Sequence, residues 1–60
     1  VSSDTAREFN LQIAACSLRT YAKEAARLSA RFKKRGHARY GHYCDHYSKA
    51  FTKLATMISP

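Results

Sequence analysis

The stretch "RFKKRGHARYGHYCDHY", Arg31–Tyr47, decides how this chain folds. It gathers five Lys or Arg, three His, three Tyr, a Cys and both glycines into seventeen positions. That mixture suits a metal site, a grip for nucleic acid, or a bend between two helices. The sequence on either side selects the bend. Upstream, Leu11, Ala14, Leu18, Tyr21, Ala25, Leu28 and Phe32 recur at steps of three and four, a heptad seam on one helix face. Lys33, Lys34 and Arg35 then suit the negative end of a helix dipole, and Gly36 supplies the left-handed residue that follows a helix.

The first helix is expected over about residues 5–34. "TARE" sets Thr5 three residues before Glu8, the capping-box spacing, which marks its start. A second seam follows the glycine: Tyr40, Cys44, Tyr47, Phe51, Leu54 and Ile58. Gly41 costs about 1 kcal/mol relative to Ala inside a helix, so a ragged start between Ala38 and His42 is expected. The second helix covers about 39–58, and Pro60 ends it. Helices joined by so short a turn lie antiparallel. The predicted fold is therefore all-α, one helical-hairpin domain over residues 1–60. Phe32 is set near Tyr40, Leu28 near Cys44, Ala25 near Tyr47, Leu18 near Leu54 and Ala14 near Ile58.

A second apolar patch is left over. At 100° per residue, Phe9, Ile13 and Cys16 project nearly opposite to the Leu11–Phe32 seam. A 60-residue chain buries a modest core and usually needs a staple or a second chain. A homodimer, two hairpins forming a four-helix bundle, is expected, with Phe9, Ile13 and Cys16 in the contact between subunits. The other reading docks that patch on a further part of a longer chain.

Eleven basic residues against four acidic ones give a net charge of +7, which calls for an acidic partner: a protein face, nucleic acid or an anionic membrane surface. Six of the eleven, Arg27, Arg31, Lys33, Lys34, Arg35 and Arg39, crowd the bend with no acid among them. A helix C-terminus uses two or three such charges. The surplus makes Arg31, Lys33, Lys34, Arg35 and Arg39 the candidate partner-binding residues, against a plain reading in which they only solubilise that end.

Other chemistry is poorly supported. His42 and His46 share a helix face, as paired zinc ligands do, and Asp45 could be a third ligand. Cys44 points into the seam and His37 lies in the turn, so no metal or other cofactor is expected. Cys16 and Cys44 lie several turns apart in the antiparallel register, too far for an intrachain disulfide. Tyr21, Tyr40 and Tyr47 fall on seams, which leaves Tyr43 free to stack on a base. No Gly-rich phosphate loop, Ser with a matched base, or paired carboxylates stand out, and no catalytic residue is assigned. No run approaches the ~18 apolar residues of a membrane span. The opening "VSSDTARE" lacks the basic-then-apolar order of a signal peptide, so a cytoplasmic location with reduced thiols is expected.

In whole-chain character the sequence resembles the small accessory proteins of temperate, lambdoid bacteriophages. The likeness is carried by "TAREFNLQIAACSLRTYAKEAARL", the basic hinge "RFKKRGHAR", and "YCDHYSKAFTKLATMI". It implies a short, helical, often dimeric protein that binds host or phage regulators, and it carries over no functional residue. The two-hairpin architecture is also similar in shape to a plasmid copy-number regulator that binds paired RNA loops. The expected function is non-enzymatic: an interaction protein whose basic end contacts an acidic regulator. The alternatives are a nucleic-acid-binding regulator using the same hinge and, behind it, a cationic membrane-active peptide.

Overall fold

The backbone reverses where glycine lets it. A computed structural model of the chain describes residues 3–59, so Pro60 and its expected role lie outside the described residues. Helix α1 spans Ser3–Lys34 and helix α2 spans Ala38–Ile58, packed side by side as an antiparallel hairpin with no strand among the described residues. Gly36 has φ of +85°, the left-handed conformation that a residue with a Cβ adopts at a cost. The amide of Gly36 donates to the Lys33 carbonyl at 3.0 Å, and that of His37 to the Phe32 carbonyl at 2.8 Å. These two bonds are a Schellman cap, and the His37 ring sits edge-on to Phe32 at 6.3 Å between centroids, supplying its apolar contact.

The start of α1 differs from the expected one. The helix already runs through Thr5, so this residue lies inside the first turn rather than capping it. Asp4 is the acid that meets the positive end of the dipole. The Glu8 carboxylate accepts from the Gln12 amide nitrogen one turn ahead, at 3.4 Å.

Nor do the two large-residue seams face each other squarely. The buried line consists of small residues recurring every seven positions: Ala15, Ala22 and Ser29 on α1, Gly41 and Ala55 on α2. Half-buried Ser48 completes the α2 row and donates from its hydroxyl to the Ala22 carbonyl at 2.8 Å. The physical reason is reach. Leu and Tyr side chains placed directly between two helices hold the axes apart, whereas Ala, Ser and Gly let the backbones come into contact and still leave the larger groups to pack alongside.

Helix α2 begins at Ala38, within the expected interval of 38–42, and Gly41 belongs to the helix rather than to a frayed start. It lies buried within α2, and a Cβ built on it would stand 2.6 Å from Lys33 Cγ and 3.1 Å from the Ser29 carbonyl oxygen. Its helix-propensity cost is the condition for close approach. The expected register holds nonetheless, with the Phe32 and Tyr40 rings 5.7 Å apart and the Tyr21 and Phe51 rings 6.2 Å apart.

The small-residue line divides the hairpin into two unlike sides. On one, Lys33 Nζ donates to Asp45 Oδ2 at 2.6 Å near the bend, and Arg19 donates to the Ser59 carbonyl at 3.1 Å near the open end. These polar contacts latch that side. The other side carries the seams. Leu18, Ala25, Phe32, Cys44, Phe51 and Ile58 are half-buried there, while Tyr21, Leu28, Tyr40, Tyr47 and Leu54 stand exposed beside them.

Candidate functional site: the basic bend and the outer face of α2

Charge is concentrated at the bend because the last turn of α1, the connecting residues and the first turn of α2 all contribute cations to one end of a rod about 52 Å long. Arg31, Lys33, Lys34, Arg35 and Arg39 are all exposed. The structure brings them together at that end but does not leave them equivalent. Lys33 forms the ion pair with Asp45, and Arg27 pairs with Glu24 one turn back at 2.9 Å. Among the described residues Arg31, Lys34, Arg35 and Arg39 carry no ion pair.

Sequence spacing held a further signal. Arg39, His42, His46, Lys49 and Lys53 recur at steps of three and four along α2, and all are exposed. They form one stripe on the outer face, running roughly 21 Å from the bend toward the open end at about 1.5 Å per residue. Asp45 is the only acid in α2, and Lys33 occupies it. Exposed Tyr43 lies beside the stripe, its ring 6.4 Å from that of His42.

The same ion pair bears on metal binding. The Asp45 carboxylate is turned to Lys33, away from a role beside His46, and no group of three His, Cys, Asp or Glu that could hold a metal occurs among the described residues. Cys16, exposed, and Cys44, half-buried, are free thiols. Phe9 and Ile13 are exposed on the back of α1, with Cys16 next to them. No helix of the described residues is long and apolar enough to cross a membrane.

Asp45 has a pH signature. The Lys33 hydrogen bond holds its carboxyl below the ordinary value of about 3.9; a hydrogen bond from Ser29 adds to this, and the charges of Lys33 and Lys49 push the same way. A carboxyl with a depressed folded-state pKa contributes stability that is present above its unfolded pKa and lost as pH falls through the folded value. Acid titration of the wild-type protein is thus expected to lower the thermal midpoint as pH drops below about 4. Asp45→Asn should flatten that part of the profile. An unchanged profile in the variant would mean that the pair does not latch the bend.

The fold defines the protein as a two-helix hairpin with an apolar side, a polar latched side and a basic end. No family model, curated protein or solved structure matches the chain.

Proposed function

We propose that this chain is a small non-enzymatic interaction protein, a homodimer of helical hairpins that engages an acidic macromolecule through its basic bend. One observation carries the reading. Four cations at the bend, Arg31, Lys34, Arg35 and Arg39, stand exposed and without an ion pair among the described residues, and Arg39 begins a stripe that carries positive charge along α2. Such a field draws in an acidic surface and orients it before contact. The resemblance to phage accessory proteins would make the partner an acidic protein regulator of the phage or its host.

A second reading, nucleic-acid binding, is favoured by one specific feature. Exposed Tyr43 borders the Arg39–Lys53 stripe, so a base could stack while the cations follow phosphates.

Titrating the full chain with a labelled polyglutamate peptide, duplex DNA and structured RNA separates the two. An acidic protein partner predicts binding to the peptide at low salt. The joint substitution Arg31→Glu, Lys34→Glu, Arg35→Glu and Arg39→Glu should then weaken binding by on the order of a hundredfold, from roughly 0.2–1 kcal/mol per exposed pair. Preferential binding to DNA or RNA, with log K falling linearly against log salt at a slope of about −3 to −4, would select nucleic acid. Failure to bind any of the three at low salt removes the basic bend from the function.

A further inference from the structure

The side of the hairpin opposite the polar latches is a continuous apolar surface. Its centre is a trough of about 600 Å³ floored by small Ala25 and Cys44 and walled by Leu18, Tyr21, Leu28, Tyr47 and Phe51, with Glu24, paired to Arg27, at its rim. Large walls around a small floor are the relief that a large side chain from outside can fill. We propose that a second copy of this chain covers this face, antiparallel to the first, and that the Phe9–Ile13–Cys16 patch lies outside the dimer contact. This rests on the homodimer in the reading above and names the face it uses.

The amount of exposed surface argues for an occupant of this size. The chain exposes 4979 Å². A compact monomer of 6.8 kDa exposes roughly 4,000 Å² by the usual scaling of area with mass. The excess, about 1,000 Å², is close to the ~800 Å² that each partner contributes to a standard stable interface. The aromatic content fits as well. Tyr21, Tyr47 and Phe51 form a connected row on this face, with ring centroids 6.2 Å apart at each step, and aromatic side chains are the usual anchors of tight interfaces. On the back of α1, the exposed patch of Phe9 and Ile13 is confined to the first half of one helix and offers no such length.

Charge sets the direction. A twofold axis along the rods would bring both basic bends together. An axis across the rods, through the middle of the Leu11–Phe32 run, separates the bends by most of the rod's length. It also sets Arg35 level with the partner's Glu8, with Asp4 one turn further out. Arg7 lies between these acids, so the open end, with two acids against one cation, meets the cations of the bend with a net negative charge. An isologous antiparallel pair satisfies the apolar face and the charge pattern together.

The chain carries its own reporters, because Cys44 lines the trough on the proposed contact face and Cys16 lies outside it. Sedimentation equilibrium of the reduced full chain gives the mass, and timed alkylation with iodoacetamide, read by peptide mass, gives the face. The expected result is a mass twice 6.8 kDa, with Cys44 reacting at least tenfold more slowly than Cys16. That gap should narrow on dilution into the monomer range. A dimeric mass with Cys16 as the protected thiol, or with both thiols equally reactive, overturns this face while leaving the dimer intact. A monomeric mass at high concentration overturns the dimer as well. Direction is read from single-cysteine variants in a Cys16→Ser, Cys44→Ala background with a short bismaleimide. Glu8→Cys mixed with Arg35→Cys should cross-link to a dimer, and Arg35→Cys alone should not; the reverse pattern overturns the antiparallel arrangement.

Discussion

Gly41→Leu is expected to lower the stability of the hairpin by about 2 kcal/mol or more, although a count of helix propensity predicts a gain. Replacing a mid-helix glycine by leucine should stabilise α2 by somewhat less than 1 kcal/mol. Against that stands the position of the residue. The first added carbon would meet Lys33 Cγ at 2.6 Å and the Ser29 carbonyl oxygen at 3.1 Å. Lys33 can swing aside only by giving up its 2.6 Å contact with Asp45. The Ser29 oxygen belongs to the backbone of α1 and cannot turn away. Three more carbons then have to enter a line where helix already touches helix, and overpacking of this kind costs about 1–3 kcal/mol before the lost ion pair is counted. A domain of this length has roughly 3–9 kcal/mol in total. Urea denaturation followed by helicity, at one fixed protein concentration, should place the variant's midpoint far below that of the parent. Gly41→Ala is the graded control and should fall between the two. A Leu variant at or above parental stability would show that the helices do not approach closely at this point.

The sequence displays the helices more plainly than the way they meet. The Leu11–Phe32 and Tyr40–Ile58 repeats and the cationic run ending at Gly36 are sufficient to set two rods and a bend, and apart from the start of α1, two residues earlier than expected, the helix ends lie within one residue of the expected 5–34 and 39–58. What those repeats report is which side of each rod is apolar. They do not report the line of closest approach, because that line is drawn by what is missing between the backbones. Ala15, Ala22, Ser29, Gly41, Ser48 and Ala55 keep a seven-residue period as regular as that of the leucines. Alanine and serine are common and weakly hydrophobic, so a count of large apolar residues passes over them. The basic site divides in the same way. Crowding of cations at the bend is a property of sequence, whereas the partnership of Lys33 with Asp45 exists only once the chain has reversed. The stripe from Arg39 to Lys53 was legible in principle, since it uses the same three-and-four spacing as the seam. Its Lys and Arg residues are interrupted by His42 and His46, so a count of cations alone does not pick it out.

Ala15→Leu and Ala55→Leu should each cost about 1–3 kcal/mol, while Phe9→Ala costs about 0.5 kcal/mol or less, an ordering opposite to one based on hydrophobic size. Both alanines are fully buried, on the row that brings Ser48 to Ala22 and Gly41 to Ser29. Adding carbons there wedges the helices apart at the open end, where Arg19 reaches the Ser59 carbonyl across a 3.1 Å contact that cannot survive the separation. Phe9, although far larger, is 62% exposed, so truncating it removes little buried area and opens no cavity. The comparison also bears on assembly. Were Phe9 the anchor of a subunit contact, its loss would approach the 3–5 kcal/mol typical of a buried phenylalanine and would grow with protein concentration in the dimer range. Denaturation of the three variants at two concentrations distinguishes these cases. A large, concentration-dependent loss from Phe9→Ala with tolerant alanines would reverse the assignment of which surface pairs helix with helix and which is left to solvent.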